Sequence, residues 1–265
     1  MIEIKSRREI ELMRRAGMIV AETIHVLCKE SKPGITTGEL GDIAAEVIYG
    51  YGAESAFLNY TPAGSSIGFP GVVCISVNEE VVHGIPGKRV LQEGDLVSFD
   101  VGTRLDGYCG DGAGSVVIGD NVSERVLTLM DITKQCLHNG IDSAVEGNRI
   151  SDIGRAVQIT AESAGMGVVR ALVGHGIGRD VHEDPQVPNY IAPGFSPRIK
   201  PGMVIAIEPM ITLGDWRVKE LDDEWTIVTA DNSLSAHFEH TVAITELGPE
   251  ILTLRDNGKE GFIVD

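Results

Sequence analysis

Both halves of the sequence contain a turn glycine that is followed by an apolar run and then an acid. Gly94 precedes an apolar run that ends in Asp100, six residues later. Gly202 precedes an apolar run that ends in Glu208 at the same spacing. A glycine before a short apolar run is typical of the turn that starts a strand. Each half should therefore contain a strand that begins at a glycine and ends in a carboxylate.

A second match precedes the first one in each half. Gly34 is followed five residues later by Glu39, and Gly147 is followed at the same spacing by Asp152. Each glycine follows one helical pattern and opens another. Two matches in the same order indicate a duplicated helix–helix–strand unit. A pseudo-two-fold axis between the copies would bring the two carboxylates together.

Hydrophobic periodicity places the remaining elements, with Ser6 as the N-cap of the first helix. Helices are predicted at residues 7–30, 37–49, 123–145 and 151–165, and strands at residues 72–77, 81–82, 96–101, 204–207, 225–229 and 238–244. No low-complexity linker separates the halves, so we expect a single domain over residues 1–265, with the repeat at about 7–120 and 123–245. The predicted fold class is α+β.

Composition excludes several kinds of partner. A net charge of −17 and a pI near 4.8 argue against a general nucleic-acid surface, and hence against DNA binding. No run approaches the roughly 20 apolar residues that span a bilayer, and the N-terminus lacks the apolar core of a secretion signal. The four cysteines show no paired metal-binding spacing, which is typical of a reducing compartment. We therefore expect a cytoplasmic protein with no membrane partner.

One acid lies where a buried strand is predicted. Asp100 falls within the apolar run 96–101, where an unpartnered carboxylate is costly. An Asp-Gly pair at 106–107 predicts a tight hairpin, in whose register Asp100 faces Ala113. Asp111 is two residues from Ala113, so both aspartates should share one face of the sheet. Two carboxylates on one face repel each other unless a cation lies between them.

Two further acids lie in apolar runs of the second half, Glu208 and Glu239. For any one acid, a salt bridge or a surface position is the ordinary interpretation, but the four together favour a metal site. His175, within the glycine-rich residues 174–178, adds an imidazole. Oxygen ligands with one imidazole suit manganese, iron, cobalt or zinc, and four acids predict a pair of ions.

Histidines outside this set fall into two groups. His83 precedes the first carboxylate strand much as His175 precedes the second, and His182 follows seven residues after His175. An ordinary surface or satisfied core position is expected for the three others considered, which are His25, His138 and His237. Residues 174–178 lack the Lys-Ser/Thr of a phosphate loop and the glycine spacing of a dinucleotide site, so a nucleotide site is disfavoured.

Together these motifs resemble the methionine aminopeptidases of the pita-bread metallopeptidase family, over about residues 4–254. The resemblance is carried by Cys74-Ile75-Ser76-Val77-Asn78-Glu79, His83-Gly84-Ile85-Pro86, Gly174-His175-Gly176-Ile177-Gly178, Lys200-Pro201-Gly202-Met203, Ile207-Glu208-Pro209-Met210 and Ser233-Leu234-Ser235-Ala236-His237-Phe238-Glu239-His240-Thr241. It implies the creatinase/aminopeptidase fold, in which two pseudo-symmetric halves surround a curved antiparallel sheet.

The resemblance also implies a role for each ligand of the two metal ions. Asp100 is similar to a chelating ligand of one ion, and His175 and Glu208 are similar to ligands of the other. Asp111 and Glu239 are similar to the bridging ligands. Water activated by the two ions would attack the scissile carbonyl, with Glu208 as the proton carrier and a catalytic residue in its own right.

Further residues match the family's substrate site. His83 and His182 are similar to the two catalytic histidines that hold the peptide and stabilise the developing oxyanion. Four residues match the methionine pocket, namely Tyr60, Phe69, Cys74 and Trp225. An apolar slot suits an unbranched thioether. Phe57 is a departure, because many relatives have cysteine at that position.

The lengths of two segments indicate which subclass of the family the chain resembles. Only 99 residues precede Asp100, too few for the extra N-terminal domain of proline-specific relatives. Only 32 residues separate His175 from Glu208, too few for the helical insertion of the second methionine aminopeptidase class. The bacterial-type first class is therefore expected, removing the initiator methionine before a small second residue. Alternatives are a proline-directed peptidase of the same fold and a binding paralogue without activity, although such paralogues typically lose metal ligands.

The expected partners are the N-termini of nascent polypeptides. The enzyme is expected to be a monomer. Bacterial-type relatives are thought to dock on ribosomal RNA through basic loops, which requires lysine and arginine against phosphate. Residues 214–225 contain two basic and five acidic residues, a net charge of −3. The dense basic cluster of the chain lies on the first helix, at Arg7, Arg8, Arg14 and Arg15. We therefore expect ribosome association to be weak or to use the first helix.

Overall fold

A computed structural model describes residues 1–62 and 67–263 of the chain. Its helices are α1 (Arg7–Glu30), α2 (Thr37–Gly50), α3 (Glu124–Ser143) and α4 (Ile150–Ser163). All four helices predicted from periodicity are confirmed to within two residues at each end. Ser6 caps α1 as expected, since its side chain accepts a hydrogen bond from the backbone of Glu9.

The strands are short, except for one long hairpin. They are β1 (Glu54–Ser55), β2 (Cys74–Val77), β3 (Glu80–Val82), β4 (Leu96–Leu105), β5 (Tyr108–Val117), β6 (Gly167–Val168), β7 (Gly174–Gly176), β8 (Glu183–Val187), β9 (Val204–Ile207), β10 (Met210–Thr212), β11 (Val218–Glu220), β12 (Ile227–Thr229), β13 (Ser235–His237), β14 (Glu239–Thr245) and β15 (Gly248–Ile251). The predicted strands are confirmed in place, with boundary shifts of up to four residues.

Strands from both halves join one nine-stranded sheet. Its main path runs β1-β4-β5-β14-β9-β7-β8, with β2 added on β4 and β15 on β14. The β4–β5 pair of the first half meets the β14–β9 pair of the second half at the β5–β14 contact. This order is palindromic about that contact, so the pseudo-two-fold axis passes between β5 and β14.

The matched glycines adopt matched backbone conformations. Gly94 and Gly202, which precede β4 and β9, both have φ of 87°. Gly34 and Gly147, which precede α2 and α4, have φ of 97° and 92°. Only glycine adopts these values without steric cost. The repeat read from the sequence is therefore a repeat of turn geometry.

The matched acids near the helix starts also have one role. The Glu39 carboxylate accepts a hydrogen bond from the backbone N–H of Thr36 at 2.8 Å. The Asp152 carboxylate accepts one from the backbone N–H of Arg149, also at 2.8 Å. Each acid occupies the third position of its helix and satisfies the N-cap amide. The spacing from glycine to acid therefore encodes a turn followed by a capped helix.

Successive side chains of a strand point to opposite faces of the sheet, so the apolar core and the acids lie on different faces. Val97, Phe99 and Val101 of β4 are buried in the main apolar cluster, which also contains residues of all four helices. Asp100 lies between Phe99 and Val101, so its side chain points to the opposite face of the sheet. In the second half, Ile207 joins the same cluster, and Glu208 follows it. One face of the sheet therefore supports the helices, and the other is free to carry the acids.

Close backbone approach fixes α1 on this sheet. A Cβ atom at Gly110 of β5 would lie 2.6 Å from the backbone nitrogen of Gly17 in α1. Because no side chain fits there, the helix lies directly on the hairpin that carries Asp100 and Asp111.

No helix among the described residues is long and apolar enough to cross a membrane.

Candidate metal centre

Strand register places three of the predicted residues on one face of the sheet. Asp100 on β4 pairs with Ala113 on β5, as the hairpin turn predicted. Ala113 pairs on its other side with Glu239, the first residue of β14. Asp111 lies two residues before Ala113 on the same face. The hairpin and the β5–β14 contact therefore bring three carboxylates to one surface of the sheet.

Strand β9 and strand β7 complete the cluster. His240 of β14 pairs with Ile207 of β9, so the next residue, Glu208, reaches the level of Glu239. The His175 Nε2 atom on β7 lies 3.5 Å from a Glu208 carboxylate oxygen and 3.7 Å from one of Asp111. Asp111, His175 and Glu239 each offer one ligand atom, and these three atoms lie within 4.8 Å of one another.

His175 is oriented by its own strand. Its Nδ1 lies 3.0 Å from the backbone carbonyl of Gly176, so we assign the ring proton to Nδ1. The Nε2 lone pair then faces the carboxylates, an arrangement that only a cation or a proton makes favourable. Glycine is required on both sides, because a Cβ at Gly174 would lie 2.4 Å from the Ala206 carbonyl oxygen and one at Gly176 2.0 Å from the Asp184 carbonyl oxygen.

Burial raises the pKa of every acid in the cluster, and repulsion by neighbouring carboxylates adds to it for three of them. Burial raises the pKa of Asp100 to about 7, even though a hydrogen bond from Cys74 acts in the opposite direction. Burial and the charges of neighbouring carboxylates raise the pKa values of Asp111, Glu208 and Glu239 well above their usual range. Burial lowers the pKa of His175 to about 3. Without a cation, the site therefore favours protonated acids and a neutral imidazole.

The donor atoms fit divalent metal ions. Asp100 Oδ1, Asp111 Oδ1 and Glu239 Oε1 are buried and have no hydrogen-bond partner among the described residues. Buried carboxylate oxygens without a partner carry a large desolvation cost, which metal coordination would offset. Carboxylates with one imidazole form a hard to borderline donor set.

A cleft of about 440 Å³ opens above these acids. All of the site residues predicted from the sequence line it, namely Tyr60, Phe69, Cys74, His83, Asp100, Asp111, His175, His182, Glu208, Trp225 and Glu239. The cleft therefore combines an acidic floor with histidine and apolar walls.

The two further histidines both line the cleft and contact different aromatic residues. His182 Nδ1 lies 2.7 Å from the Tyr60 hydroxyl oxygen, and its ring centroid is 4.3 Å from that of His175. His83 stands edge-on to Trp225, with ring centroids 6.0 Å apart. Burial, together with the charge of His182, lowers the pKa of His83 to about 4. His83 is therefore neutral near neutral pH.

Aromatic rings form the apolar wall. Phe69 and Trp225 meet edge to face with centroids 5.1 Å apart, and Cys74 is buried beside Asp100. Phe57 also lines the cleft, and a Cβ at Gly102 would lie 2.5 Å from its ring. Gly102 therefore leaves the space that this phenylalanine fills.

The ordinary interpretation expected for His237 is wrong. His237 is 1% exposed, its two ring nitrogens have no hydrogen-bond partner among the described residues, and Nε2 lies 3.8 Å from a Glu239 carboxylate oxygen. A position two residues before Glu239, in a run of strand character, was the signal that could have identified it. The same interpretation holds for His138, whose side chain is 45% exposed, and for His25, which contacts the Ile263 carbonyl.

Comparison with known sequences assigns this chain to a class of metal-dependent peptidases. The sequence profile of metallopeptidase family M24 matches residues 11–246. The chain therefore belongs to metallopeptidase family M24.

Within that family, the chain is similar to methionine aminopeptidases. The methionine aminopeptidase of Clostridium acetobutylicum is 51% identical, covering 96% of this chain and 99% of its own. Methionine aminopeptidase 1 of Bacillus subtilis is 50% identical with the same coverage. The crystal structure of the Thermotoga maritima methionine aminopeptidase has a TM-score of 0.90 at 44% identity, covering 96% of this chain and 99% of that one. The family resemblance and the pita-bread fold are thus confirmed.

The raised acid pKa values predict how the metal-free protein responds to pH. Above about pH 7.5, histidines are almost entirely neutral in both the folded and the unfolded state, so the acids dominate. Because these acids keep protons in the folded state that the unfolded chain has lost, the free energy of unfolding should fall as pH rises above about 7.5. The slope should reach about 1.4 kcal/mol per pH unit for each retained proton.

Urea unfolding of chelator-treated protein at several pH values measures this slope. Asp111→Asn should make it shallower, because one acid is removed. The exposed hairpin variant Asp106→Asn serves as the matched control and should leave it unchanged. A free energy of unfolding that is constant or rises over this pH range would contradict the prediction.

Proposed function

We propose that this chain removes the N-terminal methionine from peptides and nascent proteins whose second residue is small. The observation that carries the proposal is the union of an acidic, metal-binding floor and an apolar aromatic wall in one cleft. The similarity to methionine aminopeptidases over almost the full length of each chain supports it. We further propose that residues 1–265 act as one catalytic domain, in the cytoplasm and as a monomer.

Two divalent ions would occupy the floor, drawn from manganese, iron, cobalt and zinc. Asp100 would be a ligand of one ion, His175 and Glu208 would be ligands of the other, and Asp111 and Glu239 would be shared by both. When bound, the ions supply a water of lowered pKa and polarise the substrate carbonyl. The central position of β5 and β14 in the sheet supports the bridging roles, because their acids lie nearest the pseudo-two-fold axis.

The side chains around the floor would orient the peptide and move a proton. Glu208 would carry the proton from the attacking water to the leaving amine, since its carboxylate lies in the cleft beside His175. Neutral His83 and His182 would donate hydrogen bonds to the peptide and to the developing oxyanion. Tyr60 orients His182 through their 2.7 Å contact.

The methionine side chain would pack against the aromatic wall formed by Tyr60, Phe69, Cys74 and Trp225. A flexible thioether suits an irregular apolar slot and makes favourable contacts with ring edges. A proline-directed peptidase is the runner-up. The proposal favours methionine because the named relatives are methionine aminopeptidases that this chain matches from end to end.

Substrate preference tests the proposal directly. With metal-saturated enzyme, Met-Ala-Ser should be cleaved at least about tenfold faster than Leu-Ala-Ser, because a branched side chain fits the slot less well. Met-Leu-Ser should be a poor substrate, and peptides with proline in second position should show no advantage. Values of kcat/KM from liquid chromatography of the products measure these ratios. Equal rates on the methionine and leucine peptides, or preference for X-Pro peptides, would move the assignment to the runner-up.

Substitution of the proposed ligands tests the metal centre. Asp111→Asn and His175→Ala should each lower kcat by at least about a hundredfold and reduce bound metal per chain, while the fold survives. Bound metal is measured by mass spectrometry after dialysis, and folding by circular dichroism. Asp106→Asn, on the same hairpin but exposed, is the matched control and should retain both activity and metal. Wild-type turnover by Asp111→Asn at saturating metal would disprove the five-ligand assignment.

Local charge supports weak association with the ribosome at most. In the loop of residues 214–225, the Arg217 guanidinium is paired with Asp215 at 2.5 Å and lies over the Trp216 ring. On α1, Arg14 pairs with Glu250 and Arg15 with Asp106, both at 2.8 Å. Of the four arginines on α1, Arg7 and Arg8 have no ion pair within the described ranges and are the two left for phosphate.

Co-sedimentation with ribosomes at low and moderate salt measures this association. We expect weak binding that is lost at moderate salt and is reduced by Arg7→Ala together with Arg8→Ala, since phosphate contacts depend on salt. The pair Arg217→Ala and Lys219→Ala should have no effect. Tight binding that depends on Arg217 and Lys219, and not on α1, would contradict the expectation.

A further inference from the structure

His182 lies in a loop outside the sheet that carries the acids. Residues 177–182 connect β7 to β8, and His182 immediately precedes Glu183, the first residue of β8. Its ring makes one hydrogen bond among the described residues, to Tyr60. The position of this ring therefore depends on how the loop itself is held.

Glu183 shapes the loop from within. One of its carboxylate oxygens, Oε1, accepts hydrogen bonds from the backbone N–H groups of Arg179 at 2.8 Å and Asp180 at 3.3 Å. On the other side, the backbone N–H of Cys109 in β5 donates to the Gly178 carbonyl at 2.7 Å. The carboxylate thus closes the loop just before His182, provided that its charge is stabilised in a largely buried position.

The compensating positive charge comes from a lysine near the N-terminus of the chain. Lys5 Nζ donates to the second oxygen of Glu183, Oε2, at 2.6 Å, and to Glu3 at 2.7 Å. The Lys5 side chain is 3% exposed and that of Glu183 is 15% exposed, whereas that of Glu3 is 65% exposed. A buried lysine is uncommon, because desolvating the ammonium is costly unless it is paired.

The lysine is fixed at its backbone as well as at its ammonium. Its backbone N–H donates to the carbonyl of Gly202 at 2.7 Å, in the turn that starts β9. A Cβ at Gly178 would lie 2.4 Å from Nζ, so the ammonium fills the space that this glycine leaves. Burial alone would lower the pKa of Lys5, but the hydrogen bonds to Glu183 and Glu3 outweigh it and raise that pKa. The ammonium therefore stays charged throughout the neutral range.

We propose that Lys5 is a positioning residue for catalysis, which acts through Glu183 to hold the loop that carries His182. Lys5 touches neither the floor of the cleft nor its walls, so it binds no substrate itself. Removing its ammonium leaves the Glu183 carboxylate largely buried and uncompensated. Glu183 then loses its fixed place, the Arg179 and Asp180 amides lose their acceptor, and His182 loses its alignment over the floor.

The role of His182 in the reaction rests on the proposed function, so the test includes a measurement that needs no activity. Amide hydrogen exchange reports the hydrogen bonds that Glu183 accepts. In Lys5→Met, the amides of Arg179 and Asp180 should exchange at least about tenfold faster, while those of β4 and β14 keep their wild-type rates. In Lys5→Arg, which retains the charge and the donors, most of the protection should return.

Kinetics of the metal-saturated enzyme on Met-Ala-Ser provide the second measurement. Lys5→Met should lower kcat roughly tenfold and change KM by less than about twofold, because alignment is lost while the methionine pocket is intact. Lys5→Arg should recover most of the rate. Glu3→Gln is the matched control, since it removes the exposed partner of the same ammonium, and it should match the wild type in both measurements.

Three results would overturn the proposal. The first is an unchanged exchange rate of the Arg179 and Asp180 amides in Lys5→Met. The second is faster exchange confined to these loop amides in a Lys5→Met enzyme whose kcat equals that of the wild type. The third is an equal rise in exchange across the whole chain, which would make Lys5 a general stabilising residue. If Lys5→Met does not fold, Glu183→Gln tests the same contact and should give the same loop-specific loss. A wild-type enzyme without activity on methionyl peptides would disprove the proposed function, while the exchange results would still decide whether Lys5 holds the loop.

Discussion

Mutual repulsion among four carboxylates is the constraint on which the rest of this structure depends. Asp100, Asp111, Glu208 and Glu239 lie on one face of a sheet, where burial raises the pKa of each. The charges of neighbouring carboxylates raise the pKa values of Asp111, Glu208 and Glu239 further. Such a cluster is tolerable only if the surrounding structure is stable enough to hold it and if protons or cations enter it. The large apolar cluster on the other face of the sheet provides that stability.

Duplication gives a simple route to such a site. Each half contributes a turn glycine and a strand that leads to an acid, and the palindromic order β4-β5-β14-β9 places these strands side by side. The two halves are not equivalent, however. Each half also supplies a second acid, Asp111 on β5 and Glu239 on β14, but the second half adds the imidazole of His175. The pseudo-symmetry therefore places the acids of the cleft floor together, and the departure from it adds an imidazole on the side of the second half.

Much of this floor could be predicted from local pattern. The Asp-Gly turn fixed the pairing of Asp100 with Ala113, because a two-residue hairpin leaves only one register. The contact between β5 and β14 could not be derived in this way, since it joins residues far apart in sequence without a turn to set their register. The apolar run around Glu239 grouped it with the other acids, but its bridging role beside Asp111 was implied by the resemblance to known enzymes.

The roles of two residues outside the cleft lining could not be predicted from local sequence pattern, for a different reason. His237 was misjudged because a single imidazole in a core strand gives no sign of whether its nitrogens find partners. Lys5 was not singled out, because a lysine near the N-terminus is normally solvated. For Lys5 the decisive fact is an environment contributed by a distant segment, which holds Glu183. For His237 it is the absence of a hydrogen-bond partner among the described residues, beside the neighbouring Glu239.

The floor and the walls of the site are held by different physical means. Sheet pairing fixes the acids, whose positions follow from hydrogen bonds between strands. His83 is held by an uncommon backbone conformation, with φ of 60°, and the following Gly84 passes so close to Ile75 that a Cβ there would lie 2.2 Å from its carbonyl oxygen. His182 is held by a loop closed through Glu183. The two histidines can therefore be adjusted by local changes that leave the sheet, and with it the metal centre, undisturbed.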